Sequence, residues 1–270
     1  MSNEIITTVS GVLRDPVSAK DYDVDRLLAE FSVNKKNMVG EKYEDVEEHY
    51  IPEYTPISNQ GSAGTCVANS ICDMFEILVG IEKGGKWVQQ YSRRFLYFIS
   101  RAAHDATDRD TGTYPRLAFS QLTKAGIVLE KYFPYSDRLK DLTTSPPVDM
   151  FTMASNNRIN SFWRLKKTGS ALVDQIVGCI VNNHPVEFCT PVNREFQLYR
   201  GGEKVFGSFP NPVGNHSMLL TGFKRRGSRV EFVGRNSWGS GWGINGHFWM
   251  AESALNKCFD LWTATKMDLI

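Results

Sequence analysis

Three short segments of this 270-residue chain carry side chains that could do chemistry together. The first is Asn59-Gln60-Gly61-Ser62-Ala63-Gly64-Thr65-Cys66, a glycine-rich loop that feeds an apolar run. A thiol at a helix start feels the positive end of the helix dipole. With a cation or His nearby, its pKa falls into a range of about 3.5–7.5. The thiolate is the nucleophilic form. The second segment, Gly214-Asn215-His216-Ser217, opens an apolar strand with a His. The third is Asn236-Ser237-Trp238-Gly239, continued by Gly241-Trp242-Gly243 and Asn245-Gly246. Each segment also has a plain reading. A Cys on an apolar helix is usually a small core residue, as Cys72 is read here. A His at a strand start is usually a satisfied structural residue, and a Trp- and Gly-rich stretch is usually a hairpin.

These segments need elements to hold them. Cys66 to Val79 is apolar almost all round, which predicts a buried helix. Ser92–Ala103, Tyr114–Ala125 and Ser170–Val181 read as further helices, the second capped by Gly126. Val186–Thr190, His216–Phe223, Val230–Asn236 and His247–Ala251 are branched or aromatic runs between glycine-rich turns, and read as strands. A helical first half and an antiparallel second half predict an α+β fold of two lobes. The expected divisions are an N-terminal extension over 1–50, a helical lobe over 51–150 and a β-rich lobe over 151–270. A cleft between lobes is a usual place for a site.

Composition narrows the partners. Lys and Arg total 31 and Asp and Glu 30, a formal charge of +1, so no global field gathers nucleic acid. Hydrophobic residues at 41% and charged residues at 23% fit a globular chain. No run of about 18 apolar residues predicts a membrane span. The start Met1-Ser2-Asn3-Glu4-Ile5-Ile6 lacks the pattern of a secretory signal, which points to a cytoplasmic protein and leaves non-classical export open. The five Cys lie at 66, 72, 179, 189 and 258, an odd number with no metal-ligand spacing. Neither a zinc ribbon nor a disulfide scaffold is expected, and all five thiols are expected free.

A Cys near a domain start, then a His, then an Asn well downstream, is the chain order of the papain-like (C1) cysteine peptidases. The sequence resembles that family in detail. Gln60-Gly61-Ser62-Ala63-Gly64-Thr65-Cys66-Val67 is similar to its Q-G-x-C-G-S-C-W motif, and Asn215-His216-Ser217 to its N-H-A strand. The run from Asn236 to Phe248 matches N-S-W-G-x-x-W-G-x-x-G-Y/F. Gly126–Glu130 with Phe133-Pro134-Tyr135, and Phe196–Gly202, resemble two further stretches. The resemblance spans about 51–265 in order. Ala63 and Asp110 stand where the family carries a disulfide, and Val67 where it carries Trp, as in its bacterial, archaeal and viral branch.

The resemblance implies a papain-like fold, with a helical left lobe, an antiparallel β-barrel-like right lobe and the active site between them. It implies an endopeptidase without metal or cofactor, in which Cys66 attacks a peptide carbonyl as thiolate and passes through a thioester. His216 pairs with that thiolate and protonates the leaving amine. Asn236 orients the imidazole. Gln60 and the Cys66 N–H bind the oxyanion. Thr113, Tyr114, Pro115, Cys189, Ser217 and Trp238 carry over as residues along the substrate's path, and Trp238 also as a cover on the His–Asn bond. His49, His104, His184 and His247 read as structural.

The expected partner is a peptide or protein substrate bound by a monomer, with neither nucleic acid nor membrane. Other readings stay open: a retired scaffold on the same fold, or a ligase or transpeptidase with the same triad. Residues 1–50 lie outside the resemblance and are rich in acids, with Val24, Leu27, Leu28 and Phe31 at helical spacing. The segment is either a propeptide-like plug in the cleft or an arm that braces the fold.

Overall fold

A computed structural model describes residues 11–35, 45–86 and 88–266. The start of the chain and the acidic Glu41 and Glu44 lie outside these residues.

The left lobe is built on α2 (Cys66–Glu82), α3 (Arg93–Ala102) and α4 (Pro115–Lys124). Fifteen consecutive residues of α2, Cys66 to Gly80, are buried, so this helix is a core element on every face. α3 begins where the Ser92 hydroxyl accepts the Phe95 N–H, and α4 begins with Pro at its first turn. Gly126 ends α4's turn at φ 81°, against the Ala154 carbonyl, where a Cβ would find no room. Two short helices, α5 (Leu139–Leu142) and α6 (Asp149–Ala154), fold up the loop that follows.

The right lobe is one eight-stranded sheet of β1 (Glu48–Tyr50), β2 (Ser161–Arg164), β3 (Val186–Val192), β4 (Val205–Phe206), β5 (Gly214–Arg226), β6 (Arg229–Arg235), β7 (His247–Ala251) and β8 (Phe259–Thr265). Its order is β2-β8-β3-β5-β6-β7-β4, with β1 on the edge of β5. The pairing is antiparallel except for β4 with β7. The barrel-like closure expected for this lobe is a correction. The sheet stays open, because the strands at its two ends have four and two residues and cannot continue the ladder around. α7 (Gly169–Val181) covers β5 and β3, and the short α8 (Arg194–Gln197) precedes β4.

The lobes meet where α2 packs on β5 and β3. A buried charge network pins this seam. Arg93 of α3 pairs with Asp73 at 2.5 Å and Glu76 at 2.6 Å, and Arg235 of β6 reaches the same Asp73 at 3.0 Å and also Glu53. Burial works to raise the Glu53 carboxyl, but His247 and Arg235 outweigh it and hold it down at about 2.

The N-terminal segment crosses both lobes. Its helix α1 (Val24–Lys35) buries Val24, Leu27 and Phe31 against α7 and β2, with the Phe31 ring stacked on His184 at 4.8 Å. Burying three such side chains is worth roughly 1.5–3 kcal/mol each. The exposed pairs Lys166–Asp23 and Lys167–Asp25 add about 0–1 kcal/mol each, so apolar burial holds the helix down. Asp21, a half-buried residue with its side chain turned inward, bridges Arg116 at 2.6 Å and Arg164 at 3.0 Å.

Candidate active site

Cys66 is the first residue of α2, and the loop before it is cross-tied from three sides. The Asp110 carboxylate accepts the Gly64 N–H at 2.9 Å and the Tyr97 hydroxyl. The Tyr135 hydroxyl meets Thr65 Oγ1 at 2.6 Å and donates to the Gln60 carbonyl at 2.8 Å. The Ser62 N–H and hydroxyl both bond Asp137, each at 3.1 Å. Where the sequence lacks a disulfide between positions 63 and 110, an Asp110 hydrogen bond does the stapling. All five cysteines are free thiols.

His216 enters on β5, and Asn236 follows directly after β6, the strand paired with β5. His216 Nε2 lies 2.7 Å from Asn236 Oδ1. That oxygen also accepts the Ser237 N–H at 2.8 Å, which fixes the amide's orientation. An acceptor at Nε2 makes Nε2 the protonated nitrogen of the neutral ring. Nδ1 keeps its lone pair, and among the described residues it has no hydrogen-bond partner. Trp238 stacks on the imidazole with centroids 4.5 Å apart and planes at 26°. The ring and its hydrogen bond are thereby shut off from water, and His216 is fully buried.

Gln60 joins the two lobes. Its N–H donates to the Ser237 carbonyl at 2.9 Å, and its Oε1 accepts the Ser237 hydroxyl at 2.7 Å. Its Nε2 donates one proton to the Ala63 carbonyl at 2.9 Å and has a second to give. Asn59 pairs with Trp238 beside it. Ser217 turns its backbone N–H toward the Cys66 sulfur, so the residue after His216 touches the nucleophile's surroundings.

The N-terminal segment from Gly11 onward lies against Cys66. Gly11 lies on the thiol: a Cβ built there would stand 2.7 Å from the sulfur and 2.5 Å from the Gly64 carbonyl oxygen. Val12 pairs with Thr113 in parallel sense, with Leu13 N–H to the Thr113 carbonyl at 3.0 Å and Thr113 N–H to the Gly11 carbonyl at 3.2 Å. Asp15 then drops into the interior. Its N–H meets Asp260 Oδ2 at 2.6 Å, and its carboxyl accepts from the Arg116 N–H at the start of α4 and from Trp262 Nε1 at 3.0 Å.

Burial sets the electrostatics here. Burial pushes the Cys66 thiol up to about 12; the nearby Glu187 adds to that, and the Ser217 and Val67 N–H groups oppose it. Burial also pushes His216 down to about 4 against the Asn236 hydrogen bond. Both shifts favour the neutral thiol and the neutral imidazole.

Cys66, His216, Asn236, Gln60, Ser217 and Trp238 thus come together, with Thr113 on the wall that holds the N-terminal segment. Cys189 lies opposite Ser217 across the β3–β5 ladder. Pro115 is buried in the first turn of α4. Tyr114 turns its ring edge-on to His104, 5.2 Å away. His49, His184 and His247 have structural partners in Asn183, the Ala264 carbonyl and Glu53. Sequence reading missed Gly11, Asp15, Ser70 and Glu187. Asp110 carried a signal as half of a missing disulfide, and Tyr135 as part of the Phe133-Pro134-Tyr135 resemblance. A cavity of about 990 Å³ lies elsewhere, between residues 14–21, the start of α7 and β8, and none of the six clustered residues lines it. Among the described residues no His, Cys, Asp or Glu group could hold a metal ion, and no helix is long and apolar enough to cross a membrane.

Comparison with known proteins agrees with this geometry. The chain is 26% identical over 223 residues to an uncharacterized peptidase C1-like protein of Acanthamoeba polyphaga mimivirus, covering 78% of this chain and 70% of that one. It is 28% identical over 214 residues to papain of Carica papaya, covering 73% of this chain and 54% of papain's sequence, so it spans about half of that relative's length. Among solved structures, xylellain, a cysteine protease from Xylella fastidiosa, superposes with a TM-score of 0.78 at 20% identity over 97% of each chain. Digestive procathepsin L 3 of Tenebrio molitor superposes with a TM-score of 0.67 at 18% identity, over 90% of this chain and 79% of the other. At these identities the two structures speak for the fold. The sequence profile described as papain family cysteine protease matches residues 42–261, and on that match the chain belongs to the papain family.

Proposed function

We propose that this chain is an endopeptidase that cleaves peptide bonds through a Cys66 thioester and is held closed by its own residues 11–15. The chemistry rests above all on the bond from His216 Nε2 to Asn236 Oδ1, because it leaves Nδ1 as a free base on the residue beside Ser217. In the open enzyme Nδ1 takes the thiol proton and Cys66 attacks the substrate carbonyl carbon. The Cys66 N–H at the helix start and the second Gln60 Nε2 proton receive the oxyanion. His216 returns the proton to the leaving amine as the C–N bond breaks. Water then attacks the thioester by the same base, releasing the acid and the thiol.

The closed state is supported by Gly11 against the Cys66 sulfur and by the parallel pairing of Val12 with Thr113. On this reading the segment combines the plug and the arm. Residues 11–15 occupy the cleft, and α1 braces the fold behind it.

The test uses the full chain and an epoxide thiol reagent, with mass spectrometry to locate the label. Cys66 is expected to react faster than the other four thiols, and Cys66→Ala is expected to abolish hydrolysis of a fluorogenic peptide. Equal labelling of Cys66 and Cys258, the half-buried thiol, would sink the reading.

A further inference from the structure

Beneath Cys66 and His216, a chain of buried hydrogen bonds crosses between the lobes, and none of the roles above uses it. Ser70 stands one turn after Cys66 on α2, and its hydroxyl lies 2.6 Å from that of Ser217 on β5. Ser217 Oγ donates to Glu187 Oε1 on β3 at 2.6 Å. The Cys189 thiol donates to the same oxygen at 3.4 Å. Ser217 and Glu187 are fully buried and Ser70 nearly so.

A hydroxyl has one proton to give. Ser217 spends its proton on Glu187, so its oxygen is left to accept, and the one Ser70 proton has two acceptors, Ser217 Oγ at 2.6 Å and the Val67 carbonyl at 3.1 Å, of which Ser217 is the nearer. Glu187 is the fixed end. It lies in the middle of the sheet, opposite Leu219 on one side and Trp262 on the other. Burial pushes its carboxyl well above the usual range, with Asp15 and Asp260 adding to burial and the Ser217 and Cys189 hydrogen bonds opposing it. Among the described residues its Oε2 has no hydrogen-bond partner. A polar group kept this deep at such cost is placed against an apolar alternative of the same shape.

The relay adjoins the reacting pair at Ser70 and at Ser217. Ser70 is on the helix turn that follows Cys66. Ser217 is the neighbour of His216, and its N–H faces the Cys66 sulfur. Among the described contacts it is a direct side-chain tie between the nucleophile helix and the His strand at the level of the thiol.

We propose that Glu187 is a positioning residue: through Ser217 and Ser70, its carboxyl fixes how far the nucleophile helix stands from the strand that carries His216. The proposal rests on the reading of Cys66 and His216 as the reacting pair. A misplacement of about 1 Å between reacting groups costs about 10²-fold in rate. A loosened tie of this kind is therefore expected to cost at least about tenfold.

The experiment measures steady-state hydrolysis of a fluorogenic peptide by the full chain, as wild type, Glu187→Ala, Glu187→Gln, Ser217→Ala and the double variant Glu187→Ala/Ser217→Ala. Substrate and residues 11–15 compete for one cleft, so altered docking of the segment moves KM. Altered spacing of Cys66 and His216 moves kcat. Glu187→Ala and Ser217→Ala are each expected to lower kcat about tenfold with KM little changed. Glu187→Gln, whose amide oxygen can still accept from Ser217, is expected to stay within about threefold of wild type. The double variant is expected to be no slower than the worse single one, because one tie can be cut only once. Wild-type kcat in Glu187→Ala, or losses that multiply in the double variant, overturn the proposal. If Glu187→Ala does not fold, Ser217→Ala and Ser217→Ala/Glu187→Gln carry the same comparison. A wild type that hydrolyses no peptide sinks the peptidase reading instead. The relay is then read from the ring-nitrogen NMR shifts of His216, which Glu187→Ala must move and Glu187→Gln must leave in place.

Discussion

Gly11 rests on the sulfur of Cys66, with space for a hydrogen and none for a methyl group. The contact makes the residue type at position 11 a steric gate. Gly11→Val puts branched carbon where the Gly64 carbonyl and the thiol already are, and overpacking of that kind costs roughly 1–3 kcal/mol. Labelling of Cys66 in the full chain is expected to quicken by about 5–150-fold, KM to fall and kcat to stay put. Epoxide labelling kinetics check this, and a wild-type rate would mean that residues 11–13 do not guard the thiol.

The docking of this segment should depend on pH through Asp15. Burial first, then the Asp260 carboxylate, pushes the docked carboxyl up to about 7, while Arg116 and Trp262 pull against them. In the released segment it titrates near its ordinary 3.8. The docked form therefore holds its proton more tightly. This contribution to docking is complete below about 3.8, shrinks as pH rises toward about 7 and is gone above it. The Leu13 amide bonds the Thr113 carbonyl, so its hydrogen-exchange protection factor is expected to fall between those two pH values. Asp15→Asn stays neutral and is expected to lose that fall. A flat wild-type protection factor would rule the mechanism out.

Gln60 and Asn236 should separate in kinetics. Gln60→Ala removes one oxyanion donor, with an expected loss of about 10²–10³ in kcat and little change in KM. Asn236→Ala frees the ring to turn and to change tautomer. Its kcat should drop, though by less than in His216→Ala, which removes the base itself, worth about 10²–10⁴. Stopped-flow acylation with a chromogenic ester reads both. Equal rates for Asn236→Ala and wild type would remove Asn236 from the chemistry.

Arg235 carries a stability prediction. It reaches Asp73 and Glu53 from β6 and is buried. Arg235→Gln removes one of the two cations on Asp73 and leaves Glu53 with His247 alone, an expected cost of about 3–5 kcal/mol. Urea unfolding should show a midpoint shift of that size with an unchanged slope. A loss under 1 kcal/mol would show that Arg93 alone balances the seam.

Much of the fold was legible along the chain. The apolar run from Cys66, the Gly126 cap and the branched strands from Val186 onward are local signals, and the helices and strands follow them to within a residue or two in most places. β8 and the short β2 were not legible. Phe259–Thr265 becomes a strand because β3 and β2 pair with it on either side, a fact outside its own residues. The openness of the sheet was hidden for a related reason, since closure depends on how far the end strands run.

The sequence by itself determined the chemistry available: a Cys at a helix start, then His and Asn far downstream, with Gln60 before the nucleophile. Spacing and residue type suffice there, because the dipole and the turn chemistry are local. Only the tertiary structure decided the state of that chemistry. Glycine at 11 and a carboxylate at 15 mean nothing in a linear reading. They acquire a role when residues 11–15 fold back across more than fifty positions onto Cys66 and shut out water. Burial there favours the neutral thiol, and Glu187, Ser217 and Ser70, from three distant stretches, meet in one chain of hydrogen bonds beneath it.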